Sequence, residues 1–194
     1  VSGKYSVLAA GSCTNCASGK FSDTTGSGSC TTCPAGSFSL EGSSGCTACS
    51  AGYFNPSPGS SACQACDKGE ISSASEASTE CTSCVAGEYN NKEGQSTCKI
   101  CEVGKFSPAA SISCFDCAVG KYAATDKSVK CLNCESGKYA ADAGAVSCTS
   151  CEAGKFAEVE MSFSCSDCVA GTYSTGAAIS CTACSEGKYG AEAA

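Results

Sequence analysis

Cysteine recurs in this sequence as C-x-x-C, eleven times over, and the spacing of those pairs leaves little freedom for the fold. The first members are Cys13, Cys30, Cys46, Cys63, Cys81, Cys98, Cys114, Cys131, Cys148, Cys165 and Cys181, at intervals of 16 to 18 residues. A regular period of this length marks a repeat architecture rather than one globular core. With 22 Cys in 194 residues and no Trp, the chain has staples in place of bulky apolar residues. Units of about 17 residues are too small to build a core of their own, and disulfides replace it.

A second signal keeps the same period. Three residues after each pair stands a glycine: Gly19, Gly36, Gly52, Gly69, Gly87, Gly104, Gly120, Gly137, Gly154, Gly171 and Gly187. Two residues further on stands an aromatic: Phe21, Phe38, Phe54, Tyr89, Phe106, Tyr122, Tyr139, Phe156, Tyr173 and Tyr189, with Ile71 the one substitute. The glycine suits a tight turn with φ > 0. The aromatic is expected to begin a short extended segment and to form the core of its unit. The intervening stretches, such as Ser22 to Ser29, are rich in Ser, Thr, Gly and Asp and favour turns. No helical periodicity is sustained. The expected fold is a small disulfide-rich one, an elongated tandem array of irregular β-hairpin repeats with almost no helix. It runs as one continuous array over residues 1–194. Gly3-Lys4-Tyr5 repeats the Gly-Lys-aromatic step and the chain stops ten residues after Cys184, so the array is expected to be cut from a longer one.

Translational symmetry narrows the disulfide connectivity, because every unit should be wired alike. One uniform scheme joins the second Cys of each pair to the first of the next: Cys16–Cys30, Cys33–Cys46, Cys49–Cys63, Cys66–Cys81, Cys84–Cys98, Cys101–Cys114, Cys117–Cys131, Cys134–Cys148, Cys151–Cys165 and Cys168–Cys181. Each loop would stabilise the unit by about 3 kcal/mol in the chain-entropy treatment. It leaves Cys13 and Cys184 to find partners beyond this stretch. The other scheme joins first to second-of-next, as Cys13–Cys33, and gives overlapping loops. The shorter loops are preferred and the overlapping ones stay open; bonding inside a C-x-x-C ranks last.

Other chemistries fit less well. Two C-x-x-C pairs could offer four thiolates to zinc, but eleven pairs do not divide into four-ligand sites. A redox C-x-x-C needs a helix N-terminus in a βαβ setting. The chain has no His, which removes the usual general base and nucleophile partner; carboxylates such as Glu158 and Glu160 are scattered. An enzyme is therefore not expected, nor is any cofactor or metal. All twelve cations are Lys against a net charge of −7, which argues against nucleic acid and anionic membranes. No apolar run approaches the ~18 residues that span a bilayer. The Lys before many of the aromatics is read as a solvated side chain with its stem along the ring. Ser/Thr-rich stretches make O-linked glycans an expectation, whereas no Asn has the N-glycosylation pattern, Asn55-Pro56-Ser57 included.

The unit C-x-x-C-x-x-G-x-[FY]-(about 11)-C-x-x-C, as in Cys30 to Phe38 and on to Cys46, resembles the ephrin-receptor-like cysteine-rich repeat, which occurs in tandem in extracellular proteins of animals, algae and other protists. The loop from Cys33 to Cys46 also resembles the first small module of a tumour necrosis factor receptor repeat, which is closed by the shorter-loop disulfide. The resemblance covers essentially the whole chain and implies an extracellular or cell-surface location. It carries over no ligand-contact residue.

These features point to a structural extracellular fibre, stalk or coat, such as a flagellar hair or surface fibril, whose partners are copies of itself or neighbouring fibre proteins. The alternative is a receptor or adhesion ectodomain with a protein ligand, for which the candidate contacts are Tyr53, Phe115, Phe163 and the long Cys66–Cys81 interval around Ile71. Oxidised cysteines predict an intact mass, under non-reducing and denaturing conditions, lower than the reduced mass by about two hydrogens per bond. Full thiol titration with stoichiometric zinc would contradict the disulfide reading.

Overall fold

The computed structural model describes residues 1–8, 10–73 and 77–186; Gly187 and Tyr189 lie outside them. It contains no helix among the described residues, and 22 two-residue strands form eleven two-stranded sheets. Each sheet folds one repeat's residue-aromatic step onto the next repeat's C-x-x-C. Lys20–Phe21 pairs antiparallel with Thr31–Thr32, and Tyr139 stands opposite Thr149 in the same register that sets Phe21 opposite Thr31. The two residues between the cysteines are therefore not bare links but the second strand of a hairpin. The aromatic closes the first strand instead of beginning it.

The chain packs as two compact units. One comprises Val1–Cys84, Asn90–Lys99 and Ala110–Ile112; the other comprises Val85–Tyr89, Ile100–Ala109 and Ser113–Ala194. Both are built from the same ladder of backbone hydrogen bonds. The glycine after the staple sits at the third position of a turn closed by Lys20 N–H to Ala17 C=O in one repeat and Lys138 N–H to Glu135 C=O in another. Its φ is positive in every described repeat, +81° at Gly19 and +76° at Gly120, as a type II turn requires. The glycine N–H donates to the residue after the aromatic one repeat on: Gly19 to Ser39 O in the first unit, Gly120 to Ala140 O in the second, both at 2.9 Å. Its own carbonyl accepts from the second Cys of the next pair, as Cys33 N–H to Gly19 O and Cys134 N–H to Gly120 O.

A further rung reaches into the loop of the next repeat. The carbonyl of the second Cys accepts an N–H from a left-handed residue in the loop beyond: Gly42 to Cys16 O at 2.8 Å and Gly59 to Cys33 O at 2.9 Å in the first unit, Lys127 to Cys101 O at 2.8 Å and Met161 to Cys134 O at 2.9 Å in the second. This second left-handed position falls four residues before the first Cys of the following pair throughout: Gly26 before Cys30, Ala110 before Cys114, Ala177 before Cys181. The variation in repeat length is thus absorbed between the aromatic and this residue. Phe38 and Gly42 are four apart in a 16-residue interval; Tyr139 and Gly144 are five apart in a 17-residue one.

The interior is not the ring of aromatics expected from sequence. The second Cys of each C-x-x-C is 0–1% exposed from Cys16 to Cys151, and, the half-buried Ser6 apart, the residue after the ring position is buried in every described repeat. That residue is Ser22, Ser39, Asn55, Ser72, Asn90, Ser107, Ala123, Ala140, Ala157 or Ser174. Where it is polar, its side chain is hydrogen-bonded: Asn55 Nδ2 donates to Ser37 O at 2.7 Å, Asn90 Nδ2 to Glu70 O at 2.7 Å and Ser107 Oγ to Glu88 O at 2.9 Å, whereas Ser72 Oγ donates to Ser78 Oγ at 2.7 Å. The rings themselves, Phe21, Phe38, Phe54, Tyr89, Phe106, Tyr122, Tyr139 and Phe156, are half-buried, and Tyr173 is exposed. A two-residue strand offers too little neighbouring chain to cover both faces of a ring.

The ladder separates two glycine-type positions. A Cβ at Gly120 would stand 2.0 Å from Met161 O, so Gly120→Ala is expected to destabilise by more than ~3 kcal/mol, at the extreme end of single substitutions. Met161 already holds a left-handed φ of +59°, a conformation costing a non-glycine residue about 1–2 kcal/mol. Met161→Gly relieves that cost and adds the unfolded-chain entropy of glycine, so its denaturation midpoint should stay within about 1 kcal/mol of the parent. Paired denaturant melts of the two variants check both values.

Candidate functional surface

The structure joins Cys16–Cys30, Cys33–Cys46, Cys49–Cys63, Cys66–Cys81, Cys84–Cys98, Cys101–Cys114, Cys117–Cys131, Cys134–Cys148, Cys151–Cys165 and Cys168–Cys181, with Cα separations of 5.6–5.8 Å. Cys13, exposed, and Cys184, half-buried, are unbonded among the described residues. Each disulfide has one buried and one half-buried end. The buried end carries the N–H and C=O that tie it to the repeat before and the repeat after. The covalent staple and the hydrogen-bond ladder therefore meet in one residue.

The aromatic candidates take different places. Tyr53 is 40% exposed, and its hydroxyl lies 3.2 Å from where a Cβ on Gly94 would stand, so it packs beside that loop. Phe115, 51% exposed, lies across its hairpin from Phe106, with ring centroids 5.8 Å apart at 42°. Phe163, 64% exposed, has no ring partner among the described residues. Ile71 is half-buried and stands opposite Thr82, as an aromatic would. The extra length of its interval falls between Ile71 and Ala77, and residues 74–76 of that stretch lie outside the described residues.

Phe163 belongs to a series that motif reading passed over. Two residues before the first Cys, the second unit carries Val129, Val146, Phe163 and Ile179, all exposed. The first unit carries Gly28, Ser44, Ser61, Thr79 and Ser96 at that position, with Ile112 as its one apolar occupant. The signal was present in the sequence but required aligning the repeats on their cysteines.

Charges decorate the hairpins rather than converge. Lys105 pairs with Asp116 and Lys155 with Asp167 at 2.5 Å, in both cases across the two strands of one hairpin. The hydrogen bond from Lys155 to Asp167, and then the charge of that carboxylate, raise the Lys155 pKa above 10.5. A raised Lys pKa favours the folded state at neutral pH, and that contribution disappears as pH climbs through the folded value. Lys127, at a left-handed loop position, reaches Glu88 at 2.7 Å, and Asn15 meets Glu41 at 3.1 Å. Such pairs link a loop to the strand of an earlier hairpin. A groove of about 230 Å³ is lined by Tyr122, Asn133, Glu135, Lys138, Ser147 and Cys148. Its lysine is paired with Glu135 at 3.4 Å, and its groups present no nucleophile-and-base arrangement.

A family model described as tyrosine-protein kinase ephrin type A/B receptor-like matches residues 3–39, 104–147 and 120–168, together more than half of the chain. No curated protein matches it.

Half-burial of the rings sets the size of one mutational effect. Truncating a fully buried ring costs about 3–5 kcal/mol. Phe106, half-exposed and paired with a solvent-facing Phe115, should lose only about 1–2 kcal/mol as Phe106→Ala, in line with partial burial. Asn90→Ala should match or exceed that, because it leaves the Glu70 carbonyl without its donor in a dry site. Urea melts of the two variants compare them directly.

Proposed function

The chain belongs to the ephrin type A/B receptor-like family of cysteine-rich repeats, and on that premise we propose that it is a structural, non-enzymatic extracellular protein, part of a fibre, stalk or coat such as a flagellar hair or surface fibril. One observation carries the reading. Within each unit adjacent described repeats are tied by one recurring set of backbone hydrogen bonds, and each turn glycine from Gly3 to Gly137 abuts the backbone of the next repeat but one. Uniform wiring suits a load-bearing array, whose stability is a sum of near-identical nearest-neighbour terms. The density of disulfides supports an oxidising, extracellular or cell-surface location. The partners under this reading are further copies of the chain or neighbouring fibre proteins.

A receptor or adhesion ectodomain is the second reading, and the exposed Phe163 with its apolar series in the second unit favours it. A binding surface for a protein ligand needs an apolar centre with a polar rim, and those residues supply the apolar part.

Negative-stain microscopy of the protein from its natural source separates the two. The structural reading expects filaments that loosen on reduction at neutral pH and are indifferent to chelators. Monodisperse particles that bind a soluble protein through a single patch would favour the ectodomain instead.

A further inference from the structure

The structure sorts the hydroxyls of this Ser/Thr-rich chain into two groups. Many are engaged: Ser22 Oγ with Ser27 Oγ at 2.7 Å, Ser60 Oγ with Asn55 Oδ1 at 2.9 Å, Ser107 Oγ with Glu88 O at 2.9 Å, Ser128 Oγ with Thr125 O at 2.7 Å and Ser174 Oγ with Lys155 O at 2.8 Å. Among the unengaged ones a set sits at one repeat position, the first residue inside C-x-x-C: Thr14, Thr31, Thr47, Thr82, Thr149 and Thr182, with Ser166 the one serine there. All six threonines are exposed, and none of their hydroxyls has a hydrogen-bond partner among the described residues. Each stands directly across a hairpin from the ring position of the preceding repeat: Thr14 from Tyr5, Thr31 from Phe21, Thr47 from Phe38, Thr82 from Ile71, Thr149 from Tyr139 and Thr182 from Tyr173. Directly opposed residues of an antiparallel pair share a face, with Cβ atoms roughly 5 Å apart.

We propose that these six threonines are the principal O-glycosylation sites of the chain, each bearing a sugar whose apolar face lies on the incompletely covered side chain across the hairpin, a ring at five of them and Ile71 at the sixth. Two independent observations meet here, an unengaged hydroxyl and an incompletely covered apolar side chain within one sugar's reach of it. In the transfer, Thr Oγ attacks the anomeric carbon of a nucleotide-activated sugar. The bond from that carbon to the nucleoside diphosphate breaks, the diphosphate leaves with the electron pair, and the hydroxyl proton passes to a base of the transferase. The strand-edge hydroxyls are accessible to such an enzyme in the folded chain, whereas the engaged ones must first break a bond that closes a loop or a rung. Covering the rings also explains why an extracellular array keeps an aromatic at a position that its own fold leaves half in water.

The proposal rests on the extracellular reading, and one sample tests both. Protein from its natural source is first weighed without reduction, then digested and its glycopeptides sequenced by electron-transfer fragmentation. The expected result is ten disulfides and sugar concentrated on Thr14, Thr31, Thr47, Thr82, Thr149 and Thr182, resistant to peptide N-glycanase and released by alkaline β-elimination. Intact disulfides with bare threonines, or with sugar spread equally over Ser60, Ser107 and Ser128, would overturn the glycan assignment alone. Free thiols throughout would overturn the extracellular reading on which it stands.

Discussion

The rest of the structure depends on a missing atom. At Gly19 the place a Cβ would occupy is 1.9 Å from the carbonyl oxygen of Gly59, and at Gly104 it is 2.1 Å from that of Gly144. Only glycine lets two backbones approach that closely. The same residue supplies the left-handed φ that turns the chain after each staple. From that approach follow the glycine N–H bond to the next repeat, the burial of the second cysteine, and the bond from its carbonyl to the loop of the next repeat. Hydrogen bonds in such a dry interior are individually modest but costly to leave unmade. Repetition of one satisfied pattern therefore stabilises the array without a conventional hydrophobic core.

The part of this legible from sequence was whatever the cysteine period framed. The glycines stand at a constant distance from the staples, and their identity betrays the turn, so their positive φ could be read before any coordinates. The second left-handed position could not. It holds Gly26, Gly42, Gly59, Gly94 and Gly144, but also Ala77, Ala110, Lys127, Met161 and Ala177, because each loop there tolerates a side chain that projects outward. Lys127 turns the opportunity into an ion pair with Glu88. The buried residue after the aromatic was missed for another reason. Ser39, Asn55 and Ala140 share small size and a satisfied backbone environment rather than hydrophobicity, and attention to apolar character led to the ring instead. The signal for it was the recurrence of small residues at one fixed position.

The surface was less legible than the interior. A uniform ladder specifies spacing, not recognition, so most positions outside it vary from repeat to repeat. Against that background the shift from Ser44, Ser61 and Ser96 to Val129, Val146 and Phe163 is a change of surface chemistry at constant backbone. The hairpin geometry likewise converts a plain abundance of Ser and Thr into two classes, those that close loops and those that face solvent. Fold-level likeness identifies the repeat; what the array contacts is written in these outward positions.

Native-state hydrogen exchange, resolved by residue, tests the central account most directly. Amides that exchange through opening of a bonded, buried backbone are slow, and those in fraying loops are fast. The account places the slowest amides at four points of every described repeat: the second cysteine, the glycine after it, the residue after the aromatic, and the left-handed loop residue, as at Cys117, Gly120, Ala123 and Lys127. Their protection should fall together on reduction. Protection confined to the two-residue hairpins, with Gly120 and Lys127 exchanging as freely as the loops, would mean that the repeats are held by disulfides alone and that the ladder does not exist in solution.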